Sequence, residues 1–555
     1  MRFRSTVLLG GVMVLSTLAA CEDPLTVVNE NNPDVARALA TPAGIEGLIA
    51  ASFRDVHNGT HASSDAVWPQ AMTMSFESYG SVANFGMALR GGLPRIPIDN
   101  NRGNAVAVGN LRDYSQMQRQ SRNISNGIRA LDALVSSGGT LAGTPAAGGN
   151  ANDRRARAFA FLTLGISMGN VALVYDSAAI VTPAVPSSDV PGLSSAAAVT
   201  ATALRMLDTA IAIATAAPAF TLPGDQPTWL RGFALNNADL IRLARSYKAR
   251  YRAGVARTPA QRTAVNWQAV IDDATAGITR DVTVDISNAN GWSLSWVNQA
   301  YVFQGWHQAP LFVLGMADTT GAYSQWLATP LNQRLPFPVV TIDRRLPRGD
   351  TRTAQAAVTG ANPQQAVSTA GQPQYFLARP ASFDTPGEAW GNSFYDHYRF
   401  LYFRQGASNG VWLTMTKAEI DLLAAEGFLR TNRVADAARL IDISRTRNGL
   451  PALTGVVTTP DQPVPGGARG CIPKVPTAPN FTSASCGTIL EALKYEKRLE
   501  TAFTGYVQWY VDSRGWGDLP TGTPLEWPVP FNEMDSRFQP FYNSNTAAPR
   551  GTYGF

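Results

Sequence analysis

Apolar side chains return every three or four positions in one segment after another, and this spacing most limits what the chain can fold into. Phe159, Leu162 and Ile166 share a face within residues 152–170, and Leu204, Leu207 and Ile211 do so within 202–214. Leu240, Leu243, Ala244, Tyr247 and Tyr251 form a longer stripe, with arginines assigned to the other faces. The period is that of amphipathic α-helices. Thr416-Lys-Ala-Glu419 reads as a capping box before Ile420, Leu423, Ala424 and Phe428, and Thr488-Ile-Leu-Glu491 as another before Leu493, Leu499 and Phe503. Val434, Ala437 and Ile441 mark a further helix that Asn448-Gly449 and Pro451 stop. The helices are alanine-rich and fall in adjacent pairs with short connections. A mainly α scaffold of tetratricopeptide-like helical hairpins is therefore expected, without a strict repeat length.

Residues 282–410 break the pattern. They are rich in Gly, Pro, Asn, Trp and Tyr and predict a loop-rich, mixed second lobe with short strands. A similar stretch runs from about His57 to Asn110. The expected organisation is a signal segment (1–20), a tether (21–33), an N-terminal helical region (34–281), the aromatic loop region (282–410) and a C-terminal helical region (411–555).

The amino terminus supplies the compartment. Arg2 and Arg4 precede an apolar, small-residue run from Val7 to Ala20 that ends at Cys21. The run is too short to cross a hydrocarbon layer of about 30 Å as a permanent helix and reads as a signal peptide. Leu18-Ala19-Ala20-Cys21 resembles a bacterial lipobox, in which the cysteine is acylated and becomes the first mature residue. Each buried CH2 of such a lipid contributes about 0.8 kcal/mol, so several acyl chains anchor stably. Beyond the signal no further run is read as membrane-spanning.

Export also decides the reading of the other two cysteines. Cys471 and Cys486 share one Pro/Gly/Ser/Thr-rich segment, and an oxidising compartment favours a bridge between them. Zinc is the alternative, but no histidine stands nearby. The net charge of +5 is small for 555 residues, and the basic residues are scattered rather than run together, so nucleic acid is not an expected partner.

With these features in place, their order along the mature chain resembles the RagB/SusD family of outer-membrane nutrient-binding lipoproteins. The likeness begins with Cys21 and Asn31-Asn32-Pro33-Asp34, followed by a helix ending near Phe53. It continues through Arg154 to Gly169, Asp343-Arg344-Arg345 and the helix pair from Trp412 to Leu450. It is strongest at Glu496-Lys-Arg498-Leu-Glu500, Ala502-Phe503-Thr-Gly505, Trp509, Asp512, Arg514-Gly515 and the closing Trp527-Pro-Val-Pro530. Thr504 stands where the family has Glu, the Arg after Gly505 is absent, and the spacing to Asp512 is longer. The resemblance implies a surface-exposed lipoprotein of the outer membrane. Such a protein captures an oligosaccharide or a peptide for a SusC-like TonB-dependent transporter, with no cofactor and no catalysis of its own.

Glu496 and Glu500, one turn apart, invite a glycosidase-like reading. Their helical face is shared with Ala492, Leu499 and Phe503, which points instead to a carboxylate held by an arginine or a backbone amide. His57 and His61 stand four apart but have no carboxylate partner to suggest a metal, and no nucleophile elbow or phosphate loop occurs. Clustered aromatics are the better binding signal: Trp292, Trp296, Tyr301 and Trp306 in one loop, and Trp68 and Tyr79 with Asn84 in another. Tyr323 and Trp326 follow soon after the first loop, and Phe76 lies in the second. Flat rings stack on the CH faces of sugars or form apolar subsites for a peptide, with Asn298, Gln299 and Gln304 placed between the rings. A surface hydrolase and a helical-repeat assembly scaffold are the competing readings. For the anchor, Cys21→Ala is expected to move the protein from the membrane fraction to the soluble periplasm. Unchanged partition on fractionation would count against acylation.

Overall fold

The computed structural model describes residues 39–62, 65–80, 87–292, 307–359, 375–379, 381, 388–400, 403 and 409–555. Helices dominate: α1 (Pro42–His61), α2 (Val67–Met74), α3 (Val108–Ser136), α4 (Ala151–Val174), α5 (Ala196–Ala216), α6 (Asn237–Gly254), α7 (Pro259–Thr263) and α8 (Trp267–Thr275) precede the loop region, and α9 (Lys417–Arg430), α10 (Val434–Arg447), α11 (Ile489–Thr501) and α12 (Gln508–Trp516) follow it. Each of α3 to α6 packs on the next, α8 lies against α6 and α9, and α11 closes over α9 and α10. The mainly α, hairpin-by-hairpin scaffold expected from the apolar spacing is present.

Local chemistry sets the boundaries. Thr41 caps α1 by accepting from the Gly44 amide, and Pro42 follows in the first turn, where its missing N–H costs nothing. Asn150 and Asp153 form a reciprocal capping box on α4. Helix α4 is long and apolar enough to cross a membrane, and so is α5, although no spanning run was expected after the signal. The α4 window is 94% buried inside the protein because α1, α3, α5 and α6 surround it.

Several boundaries and faces differ from expectation. Helix α1 continues eight residues past Phe53, because Val56, His57, Thr60 and His61 extend its buried face and the Thr60 hydroxyl donates back to the carbonyls of Val56 and His57. Helix α3 begins inside the expected loop and is the longest described. Its interior stripe (Tyr114, Met117, Ile124, Ile128, Leu131) is interrupted by Ser121 and Ser125, which dilute the apolar period. At α9, Thr416 accepts from the Glu419 amide at 3.1 Å, but the Glu419 carboxylate turns to Arg250 instead of closing the box. Thr488 makes no side-chain cap at all; Glu491 binds Lys494 and the Tyr553 hydroxyl. Nor do all basic residues of α6 face outward, since Lys248 and Arg250 are buried.

Among the described residues the strands are short and lie in two-stranded antiparallel pairs: Val282–Ile286 with Gly410–Met415, Tyr79–Gly80 with His307–Gln308, Phe376–Ala378 with Tyr395–His397, Ser177–Ala179 with Leu193–Ser195, and Lys474–Pro476 with Ala484–Cys486. Around those of the loop region lies a second hydrophobic cluster, including Phe76, Phe312, Tyr323, Trp326, Trp390 and Tyr395. It is separate from the main helical core. Helix α11 spans both: Ile489, Ala492 and Leu493 enter the main core, and Tyr495 and Leu499 enter the smaller one.

A helix between two cores buries its polar side chains as well, and here they are paired. Arg345 grips Asp343 with two hydrogen bonds (3.0 and 2.7 Å) and reaches Glu496 at 2.9 Å and Glu500 at 3.4 Å. Arg250 holds Glu419 through two 2.7 Å bonds. Arg262 forks onto Glu426 (2.9 and 2.6 Å) and touches Asp512 at 3.0 Å, where Lys497 also arrives at 2.8 Å. Lys494 and Arg498 share Asp518. A buried charge stripped of its partner is worse than no charge, because desolvation is then uncompensated. Arg262→Met, which takes the guanidinium from Glu426 and Asp512, should destabilise by about 3–5 kcal/mol, and the quadruple replacement Arg262→Met/Glu426→Met/Lys497→Met/Asp512→Leu, which removes the buried charges together, by less. Denaturant midpoints test this; equal losses would mean that the ion pairs are not coupled.

Candidate functional site

Three of the aromatics expected to meet ligand are interior. Trp68 and Trp292 are each 0% exposed and belong to the main core, which corrects their reading as loop-surface rings. The cause is the histidine pair. His57 and His61 stack at 4.3 Å; Trp292 sets its edge on His57 at 5.4 Å, Trp68 contacts His61 at 4.8 Å, and the Trp292 indole N–H donates to the Pro227 carbonyl. Tyr79 is also buried: its hydroxyl accepts from the Glu388 amide at 2.7 Å and its ring packs on Trp390, so it anchors a loop. Phe76, Tyr323 and Trp326 are likewise buried. Cys21, Asn84, Trp296, Asn298, Gln299, Tyr301, Gln304 and Trp306 lie outside the described residues. Among the described residues no group of three His, Cys, Asp or Glu is placed to hold a metal ion.

The carboxylate pair is committed elsewhere. Glu500 accepts from the hydroxyls of Ser444 (2.8 Å) and Tyr375 (2.9 Å) and from Asn448 (3.1 Å), and pairs with Arg447 at 2.7 Å. Against the desolvation of burial, Arg345, Arg399 and Arg447 push it down to about 2. Glu496 accepts from Ser444 at 2.6 Å besides Arg345. Burial pushes its carboxyl up against the pull of Arg345 and Arg445. One member raised and the other lowered is a pattern hydrolases use. Size decides against it: the only space that Glu500 lines among the cavities described is about 120 Å³, below the roughly 300–1,000 Å³ of ligand pockets. The arginine expected to hold Glu496 is Arg345.

A groove of about 550 Å³ has the required size. One wall is the hairpin of Lys474–Pro476 and Ala484–Cys486, closed by the expected Cys471–Cys486 disulfide (Cα–Cα 5.6 Å) and docked through the Ala484 amide on the Ser324 hydroxyl. The tip of that hairpin carries Asn480, Phe481 and Thr482. Phe481 has φ 56°, in the left-handed region, and its amide donates to the Thr477 carbonyl. Its ring lies so close to Gly554 (φ 85°) that a Cβ there would collide with it, so glycine is required at 554. The floor is Phe312, whose ring meets that of Phe555 at 4.2 Å. The rim carries Arg334 over Trp326 (4.5 Å) and Arg550 over Phe481 (4.7 Å). A second groove of about 580 Å³, between the ends of α3, α4 and α5, is lined by Leu131, Val135 and Ile213 and has no aromatic face. The aromatic groove was missed in sequence because its walls come from six separate stretches of the chain, from Leu93 to Phe555. An aromatic at the tip of a cysteine-closed turn (Asn480-Phe481-Thr482) was the one available signal.

No family model matches the chain, and no curated protein matches it. Among solved structures it is similar to a SusD superfamily protein from Bacteroides thetaiotaomicron VPI-5482 (14% identity, 92% of this chain and 98% of that one, TM-score 0.48). It is also similar to a laminarin-binding SusD-like protein (14%, 90% and 98%, 0.45) and to a SusD-like carbohydrate-binding protein from Bacteroides fragilis NCTC 9343 (9%, 86% and 87%, 0.49). Every one of these TM-scores is below 0.5, so what this chain binds has to be read from its own residues.

All four histidines are buried, and burial lowers each: His61 and His307 to about 3, His57 and His397 well below the usual range. The rings stay neutral in the fold while the unfolded chain protonates them below about pH 6.5. The unfolded state therefore binds more protons, and their contribution to stability is lost as pH falls from 6.5 toward 3. A His57→Gln/His61→Gln protein should lose less stability over that interval than the parent, by up to about 1.4 kcal/mol per pH unit for each ring. Parallel pH series of denaturant midpoints read the difference; identical slopes would mean the rings are not held neutral.

Proposed function

We propose that this chain is a RagB/SusD-type lipoprotein of the outer membrane, anchored through Cys21 and exposed at the cell surface. In this reading it binds an oligomeric nutrient, a glycan before a peptide, and delivers it to a SusC-like TonB-dependent transporter without catalysing a reaction. The lipobox, the ordered motifs from Asn31 to Pro530 and the helical-hairpin scaffold support the class. The observation that carries the binding role is the groove: the part-exposed rings of Phe481 and Phe555 over buried Phe312, beneath a rim of Asn480, Thr482 and two arginines. Rings of this kind accept the CH face of a sugar while the rim meets its hydroxyls, and the volume suits several ring units' worth of contact at one end of a longer chain.

A hydrolase needs a base or nucleophile beside the substrate, and the residues lining this groove include no carboxylate side chain, histidine or cysteine. A peptide would use the same rings as apolar subsites. An assembly scaffold would leave the groove idle. Trp296 and Trp306 remain candidates for a second contact surface.

Retention on immobilised glycans and peptide mixtures tests the reading. Phe481→Ala should weaken retention with the melting temperature nearly unchanged; Trp296→Ala and Trp306→Ala should do so if their loop also meets ligand. Release of product would establish a hydrolase, and capture of nothing but a protein partner would establish a scaffold.

A further inference from the structure

The groove has a charge as well as a shape. Arg334 is held by its own neighbourhood: Nε donates to the Thr329 carbonyl and Nη2 to the Leu327 carbonyl, both at 2.9 Å, leaving Nη1 directed to neither. Arg550 uses Nε on the Gly554 carbonyl at 3.1 Å, so its Nη1–Nη2 edge is uncommitted among the described residues. Neither arginine forms an ion pair with a carboxylate there, and the groove is lined by no acidic side chain. The main-chain oxygen of Phe555 is satisfied by the amides of Gly551 and Thr521 and by the Thr521 hydroxyl. Burial lowers Arg334 from the usual guanidinium range, which is the mark of a cation whose lost hydration has no anion to replace it.

Each guanidinium also lies over an aromatic ring of the groove or of its support. Stacking fixes the plane of the guanidinium and leaves its edge to act as a two-pronged donor, the geometry that suits a carboxylate. A sugar bearing a carboxylate would satisfy both features together, its ring on Phe481 or Phe555 and its acid group on the arginine edge.

Resting on the binding role proposed above, we infer that the groove selects acidic oligosaccharides, with uronate carboxylates received by Arg550 and Arg334. A peptide rich in acidic residues offers the same charge, but it lacks the flat CH faces that the part-exposed rings of Phe481 and Phe555 call for, and the glycan is therefore favoured.

Calorimetric titration of the full-length protein with oligogalacturonate, its methyl ester and oligoglutamate tests the inference. Oligogalacturonate should bind, and the methyl ester should bind about tenfold more weakly, as should oligogalacturonate to Arg550→Gln. Added salt should weaken the acidic ligand and leave the ester unaffected. Arg550 is exposed, so its replacement should leave the melting temperature unchanged; Arg334→Gln removes two backbone hydrogen bonds and is read only beside that control. Equal binding of acid and ester, with Arg550→Gln unaffected, would overturn the charge selection while leaving glycan binding intact. Tighter binding of oligoglutamate than of oligogalacturonate would overturn the choice of a glycan. Binding of none of the three would overturn the inference and count against the groove as the site.

Discussion

The fold depends on charges that cannot reach water. Helix α11 lies between two hydrophobic clusters, and Lys494, Glu496, Lys497, Arg498 and Glu500 are buried with it. Each finds its counter-charge on a different segment: Arg345 from the loop region, Asp512 on α12, Asp518 beyond it, and Arg447 on α10. Hydrophobic contact is tolerant of small displacements, whereas a bidentate arginine–carboxylate pair is not. Arg262, with partners on α9 and α12, fixes how three helices far apart in sequence meet. These pairs add little net stability over apolar packing of the same shape. What they impose is a single arrangement, since any other leaves charge without a partner.

The helices were legible in the sequence because packing and period report the same thing. Leu240, Leu243, Ala244, Tyr247 and Tyr251 are all buried, as their spacing implied. The ionic interior was not legible. Lys, Arg and Glu alternating along a helix ordinarily mark a solvated face, and only partners distant in sequence reverse that meaning for Arg250 or Lys497. The aromatic signal misled for a related reason: Trp68 and Trp292 sit beside loops, yet His57 and His61 draw them inward, and that stack depends on helix α1 running past Phe53. The disulfide was legible from two cysteines sharing one Pro/Gly/Ser/Thr-rich segment, read with the expected export. The groove was not, because Phe312, Arg334, Phe481, Arg550 and Phe555 converge only in three dimensions.

A binding role fits this division of labour. Buried charges of the helical core are taken up by one another, so they offer little to a ligand. At the groove, the part-exposed rings of Phe481 and Phe555 and the uncommitted donors of Arg334 and Arg550 lie where loops meet. A receptor that must release what it holds benefits from such a surface, since stacking and rim hydrogen bonds form and break without reorganising the core.

The hairpin closed by Cys471 and Cys486 has a further consequence. Its backbone is tied to itself, so the residues at its tip are positioned by a short self-contained stretch rather than by the scaffold. A change at the tip is met first by its own turn and then by Gly554 and Arg550, which Phe481 packs against, while the docking of Ala484 on Ser324 in the helix Ala322–Ala328 stays in place.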